Sequence, residues 1–284
     1  MSTERVNVRK TYKLFIGGAF PRSESGRSYV VTDAKGKFVA NASRASRKDV
    51  RDSVVAARKA FGGWSARTAY NRGQILYRVA EMLEGRKAQF VDELRSAGMG
   101  KGPATAEVDA AIDRWVWYAG WTDKIGAVAG AANPVSGPFF NFSTPEPTGV
   151  VGVLAPASPL LGLVSVIAPV IATGNTCVAV TESPLPSITL AEVLATSDLP
   201  GGVVNLLTGQ VTELAPWLAS HMDVNALDLA GAPADLATSL EQAAAENLKR
   251  VLRPAADTDW AADPGTERLT AFLETKTVWH PVGV

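Results

Sequence analysis

The chain has 284 residues, 46% of them hydrophobic, with 28 Lys+Arg against 28 Asp+Glu. That length makes one large domain or two smaller ones with a substantial core. The balanced charge gives no basic excess for nucleic acid and no acidic solvating arm. A single cysteine, Cys177, forms no internal disulfide, which fits a reducing compartment. The charged start MSTERVNVRKTYKLF lacks an apolar h-region, so no signal peptide is expected. The longest apolar run, GVVGVLAPASPLLGLVSVIAPVIATG, is broken by Pro156, Pro159 and Pro169 and reads as a buried strand and helix rather than a membrane span. A soluble cytoplasmic protein is expected.

Residues 12–43 are strand-like and turn-rich (YKLFIGGAF, SGRSYVV, GKFVANAS). From Ser46 the period changes to helical: Val50, Val54, Ala57 and Phe61 share one face. Asp49 near the start suits the helix dipole, and Gly62-Gly63 should end the helix. A longer helical stretch, NRGQILYRVAEMLEGRKAQFVDELRSAG, follows, with Ile75, Val79, Met82 and Leu83 as its stripe. A further helix carries Val108, Ile112, Trp115 and Tyr118 on one side. Next, FFNFSTPEPTGVVGVL predicts two strands joined by a tight connection. From Val150 strands (VVGVLA, TCVAV, GVVNLL, VNALDLA) alternate with helices near 160–172, 187–197 and 211–220. Such β-α units predict a parallel sheet with helices on its faces. Topology of this kind permits a nucleotide site, but the first strand runs into APASPLL, not G-x-G-x-x-G, so no loop built to cradle a phosphate is visible.

The blocks LFIGGAF, DVRDSVVAARKAFGGW, VVGVLAP…IAPVIATGNT, LPGGVVNLLTG and AAENLKRV, in this order over Tyr12–Val251, resemble the aldehyde dehydrogenase superfamily. The resemblance implies an α/β fold: a Rossmann-type parallel sheet with an N-terminal helical layer, an oligomerisation hairpin and a C-terminal strand. The chain then passes from LKRV through a polar Ala-Asp-Pro segment to FLETKTVWH. In the family a TKTVW-like stretch is the last strand, and the catalytic domain with its Cys nucleophile precedes it; here that domain is absent. The implied division is 1–133, helical part; 134–149, oligomerisation hairpin; 150–252, degenerate Rossmann-like part; 253–270, linker; 271–284, terminal oligomerisation strand.

The resemblance also marks departures. The family's PWNFP turn places an oxyanion-hole Asn; here Pro156-Ala157-Ser158-Pro159 has no Asn, and Ser158 is the remaining hydroxyl. The cofactor-ribose Lys position is Val180. The FTGS turn that faces the pyrophosphate reads Ala230-Gly231-Ala232-Pro233, so Ala232 stands where a Ser hydroxyl would be. The general-base Glu of LELGGK has no counterpart in LRPAAD. No catalytic, metal or cofactor-binding residue is therefore assigned; Ser158, Val180 and Ala232 are degenerate cofactor positions.

Cys177 lies on the second parallel strand and reads as a core residue; a nucleophile would need a partly exposed, electropositive setting with a base in reach. His221 fits a surface turn, and His280 lies on the tail. The Asp109/Asp113 pair fits a solvated face, and the aromatic run Arg114–Trp121, without a basic patch, a packed helix face. Three functions stay open. The first is an inactive subunit that assembles with a full-length aldehyde dehydrogenase paralogue, NAD(P) being bound only in that partner. The second is a small-molecule or dinucleotide sensor. The third, with least support, is an active dehydrogenase using Cys177. The expected interface is Phe139, Phe140 and Phe142 with Lys276, Thr277, Val278 and Trp279, the tail strand adding to a sheet of the partner because its own chain offers no catalytic sheet.

Overall fold

A computed structural model describes residues 9–283. The N-terminal segment forms a small sheet of β1 (Thr11–Tyr12), β2 (Ser28–Thr32) and β3 (Phe38–Ser43) in the order β1-β3-β2. Helix α1 (Arg47–Ser65) opens with a capping box: the Ser46 hydroxyl accepts from the Lys48 and Asp49 amides, and Asp49 Oδ2 accepts from the Ser46 amide at 2.7 Å. The helix does not stop at Gly62-Gly63 as expected. Two glycines cost roughly 1 kcal/mol each in a helix, and Trp64, buried with its indole N–H on the Ile171 carbonyl at 3.0 Å, anchors the last turn. The long helical stretch that follows is two helices, α2 (Ala69–Glu84) and α3 (Lys87–Ser96), separated at Gly85-Arg86. Helix α4 (Lys101–Trp121) buries Val108, Ile112, Trp115 and Tyr118 as the spacing predicts, and α5 (Ile125–Ala129) leads to β4 (Ala131–Asn133) and β5 (Phe139–Pro147).

The remaining elements are β6 (Val150–Leu154), α6 (Leu161–Ala172), β7 (Thr176–Thr181), α7 (Pro184–Ala195), β8 (Val204–Thr208), α8 (Val211–Ala219), β9 (Ala226–Asp228), α9 (Ala234–Ala245) and β10 (Arg250–Leu252). The five strands form an all-parallel sheet in the order β10-β9-β6-β7-β8. Both faces are covered, so β6, β7 and β8 are buried along their whole length, the pattern a doubly covered parallel sheet requires. One apolar core joins the sheet to α4, α6 and α7, and the other to α1, α8 and α9. No helix of the described residues is long and apolar enough to cross a membrane.

Two expectations are corrected. The two strands in 139–154 do not pair as a hairpin. Gly149, at φ +134°, turns the chain out of β5 into the central sheet, and a Cβ there would lie 2.2 Å from Asn225 Oδ1. Strand β5 instead pairs with β4, which lies inside the segment assigned to the helical part. The second correction concerns the tail. Strand β11 (Leu273–Pro281) pairs antiparallel with β5 of its own chain from Leu273↔Pro147 to Pro281↔Phe139. The tail thus satisfies one edge without any neighbour, and a three-stranded arm, β11-β5-β4, results. The segment from 253 to 272 is no free tether either: it contains a helical turn, α10 (Glu267–Thr270), and buries Leu269 and Phe272 in the core.

One buried acid gives a stability prediction. Glu93 is 8% exposed; its Oε1 accepts from Tyr12 Oη (3.0 Å), Gln89 Nε2 (3.1 Å) and Thr189 Oγ1 (2.7 Å), and its Oε2 has no partner. Burial pushes the carboxyl above its ordinary range, against the pull of those donors. An acid raised in the folded state contributes its stability at low pH and loses it as pH climbs through the folded value. Glu93→Gln keeps one acceptor oxygen and removes the charge. The melting temperature of the variant should gain on that of the wild type as pH rises above the ordinary carboxyl range, about pH 4, and through the raised folded-state value. A difference independent of pH would refute the assignment.

Candidate functional site

In an open parallel sheet a ligand is held beyond the carboxyl ends of the strands, where the strand order reverses. Here that point lies between β6 and β9. The two ends meet: the Gly231 amide donates to the Leu154 carbonyl at 2.8 Å, and a Cβ at Gly231 would sit 2.0 Å from the Ala155 oxygen.

Helix α6 starts at this edge, and its unpaired N–H groups form the kind of terminus that receives an anion. The anion comes from the chain itself. Glu107 Oε1, on α4, accepts from the Leu160 and Leu161 amides at 3.2 and 3.0 Å and from the Ser158 hydroxyl at 2.8 Å. The Ser158 oxygen in turn accepts from the Gly162 amide at 2.9 Å. Ser158 is therefore a helix cap whose proton is committed to Glu107. The same arrangement recurs at α8, where Glu182 Oε1 accepts from the Val211 amide at 2.8 Å. Arg44 and Arg27 hold Glu213, in the first turn of α8, at 2.7 and 2.8 Å. Helix α9 carries Asp235 in its first turn.

Val180 is fully buried between Leu154 and Leu207 in the sheet register and presents a methyl pair to the core of α1, α8 and α9. Ala232 is half-buried at the entry to α9, and its amide is taken by the Leu229 carbonyl at 2.9 Å. A dinucleotide brings an anionic pyrophosphate and ribose hydroxyls. An edge already supplied with carboxylates at the starts of three helices, and with Val180 buried, does not fit that group.

Beside this edge Asp228 ends β9, is 0% exposed, and is paired with Arg268 from the 253–272 segment. Burial pushes its carboxyl up, and Arg268 opposes the shift. Cys177 is also 0% exposed, in mid-strand, and burial pushes its thiol up to about 12. No base is within hydrogen-bond reach of its sulfur among the described residues; the Asn205 side chain donates to its backbone carbonyl at 3.1 Å. His221 Nδ1 accepts from the Asp223 amide at 3.2 Å in a surface turn, and His280 is exposed on β11. Asp109 pairs with Lys87, Asp113 is exposed, and Trp115 and Tyr118 pack inward. Among the described residues no group of three or more His, Cys, Asp or Glu is placed to hold a metal ion.

The seven residues expected at an interface do come together, on the arm. Val278 lies across from Phe142, and Thr277 bonds Ser143 at 2.9 Å. Trp279 stacks edge-on against Phe139 with ring centroids 5.7 Å apart, and Lys276 pairs with Glu146 at 3.0 Å. Phe139, Phe140 and Trp279 stay 42%, 52% and 59% exposed, which leaves an aromatic surface on the arm. Within the described residues the outer edge of β11 has no pairing strand. Sequence reasoning missed Glu107, Glu182, Asp228 and Arg268, because each acts on a residue 29 to 54 positions away and local spacing carries no sign of it.

Comparison with known proteins places this arrangement. The sequence profile described as the aldehyde dehydrogenase family matches residues 20–253. The chain is 33% identical over 250 residues to cytosolic aldehyde dehydrogenase 1 of Elephantulus edwardii, covering 84% of this chain and 49% of that protein. It is 32% identical over 253 residues to the putative aldehyde dehydrogenase DhaS of Bacillus subtilis (strain 168), covering 86% and 50%. The crystal structure of HpcC from Thermus thermophilus superposes with a TM-score of 0.79 at 31% identity, over 85% of this chain and 47% of that one. The chain thus spans about half the length of these relatives. The shared portion holds the helical layer, the five-stranded sheet and the start of the arm, and by the match over residues 20–253 the chain belongs to the aldehyde dehydrogenase family.

Proposed function

We propose that this chain is a non-catalytic member of the family that assembles, through its arm, with a full-length aldehyde dehydrogenase and stabilises or regulates it. The observation that carries the reading is the self-capping of the carboxyl edge. Glu107 and Glu182 already supply the anion at the starts of α6 and α8, and at the entry to α9, where the resemblance places the pyrophosphate, the Ala232 amide is taken by the Leu229 carbonyl. The lone thiol is sealed in mid-strand, and the Ser158 hydroxyl at the edge donates to Glu107, so neither is free for acyl chemistry. The arm supplies the other half of the reading: a nine-residue strand with an open outer edge beside exposed aromatic rings. Open strand edges favour strand addition, and aromatic residues anchor interfaces. NAD(P) belongs to the partner in this scheme.

Co-expression with a tagged full-length aldehyde dehydrogenase of the same host tests it. The two chains should elute together, at a mass above that of either alone. Titration calorimetry of the isolated chain with NAD(H) should give no heat of binding up to about millimolar cofactor. Separate elution would overturn the assembly, and micromolar binding would favour a sensor on the same scaffold.

A further inference from the structure

The segment joining the sheet to the arm has a fixed place in the fold. Arg114, on α4 and 7% exposed, reaches three groups at once: Ser165 Oγ on α6 at 2.8 Å, and the carbonyls of Trp260 and Ala262 at 2.8 and 2.9 Å. Five residues past the second of those carbonyls α10 begins, and its Arg268 lies over the Trp260 ring, 4.9 Å from its centroid, and pairs with Asp228. Leu269 and Phe272 then enter the core. The Phe272 carbonyl accepts from Asn175 Nδ2 at 3.0 Å and from the Thr148 amide at 3.2 Å. Strand β11 begins at the next residue. The segment thus runs from the carboxyl end of β10 to the amino ends of β6 and β7, with α10 packed on α6.

Asp228 has 0% of its side chain exposed, and Arg268 is its one salt-bridge partner among the described residues. A buried carboxylate without its cation is strongly disfavoured, so the pair acts as a two-position contact: with Arg268 in place the segment is down, and without it Asp228 must be protonated or hydrated. We propose that residues 254–272 form a latched strap. Arg114 and the Arg268–Asp228 pair hold it on α4, α6 and β9, and it fixes the root of β11, so that opening the latch loosens the strand that forms the arm's outer edge while the parallel sheet stays folded.

Hydrogen exchange read by mass spectrometry on the full chain tests it. In the unmodified protein the amides of 269–271, bonded to Thr266 and Glu267 carbonyls, should be protected. In Arg268→Met, and in the double variant Arg268→Met with Asp228→Asn, peptides covering 256–280 should exchange at least about tenfold faster, with those of β6 and β7 unchanged. Should the single variant destabilise the whole molecule by stranding Asp228, the double variant, which removes both charges, decides. Amides 269–271 exchanging as in a free peptide in the unmodified protein would overturn the proposal. So would a double variant whose β11 amides exchange at the unmodified rate, and so would one that unfolds globally, because the pair would then be a determinant of the whole fold rather than a latch.

Discussion

Native Cys177 should react with an aromatic disulfide reagent at least about a thousandfold more slowly than Cys177 in the chain unfolded by denaturant. Two effects combine. The thiolate is the reacting species, and burial pushes this thiol up to about 12, so little thiolate forms near neutral pH. The sulfur is also unreachable: Cys177 is 0% exposed, flanked in the sheet by Val151 on one side and Val204 on the other. Labelling then waits for an opening of the central sheet, whose cost approaches the global stability of about 5–15 kcal/mol for a domain. Protection of this size is incompatible with a nucleophile that turns over an aldehyde. Cys177→Ser should change no activity, because purified protein should show no NAD(P)-dependent aldehyde oxidation above blank. Equal labelling rates in the native and unfolded states would place the thiol at the surface and restore the catalytic reading.

Much of the fold was legible because its signals are local. Ser46 and Asp49 mark the start of α1 from three positions apart, and the helical spacing of Val108, Ile112, Trp115 and Tyr118 identifies the buried side of α4. The alternation of strands and helices after Val150 gives the parallel sheet, and the TKTVW-like stretch marks β11 through the family resemblance. What was not legible depends on partners far along the chain. The glycines at 62 and 63 read as a stop, but Trp64 meets Ile171, 107 residues later, and holds the helix. Strand β11 looked partnerless because its partner, β5, lies more than 120 positions earlier and seemed committed to a hairpin with β6. At the candidate site Val180 and Ala232 were readable as departures from the family resemblance, being side-chain identities at aligned positions. The carboxylates at the starts of α6 and α8 were not readable. Glu107 looks like one more acid on an exposed helix until the fold sets it against the start of α6. The segment after Arg253 has a polar, disorder-like composition, and only the fixed positions of Arg114 and Asp228 make it a packed element.

Two truncations of the tail should behave differently. Removing residues 276–284 takes away most of β11 and the exposed Trp279 but leaves Phe272, Leu273 and Glu274. Glu274 keeps its bonds to Arg250 at 2.9 and 3.0 Å and to Thr148 at 2.9 Å, so the root of the arm remains tied to the body. This short truncation should leave the melting temperature within about 2–4 °C of the wild type, the shift expected of roughly 1 kcal/mol in a protein of this size, while co-elution with a full-length aldehyde dehydrogenase is lost. Removing residues 271–284 also deletes Phe272, which is 1% exposed, together with the carbonyl that receives Asn175 and Thr148. Loss of a buried phenylalanine costs about 3–5 kcal/mol, and stranding the buried Asn175 amide adds to it. The long truncation should therefore melt roughly 10 °C lower, and its failure to bind a partner would carry no information about the arm. These truncations place the boundary between the proposed interface and the core between Leu273 and Lys276. If the short form keeps its partner, the open edge of β11 is not the point of assembly, and if both forms melt alike, Phe272 is not the root that the packing makes it.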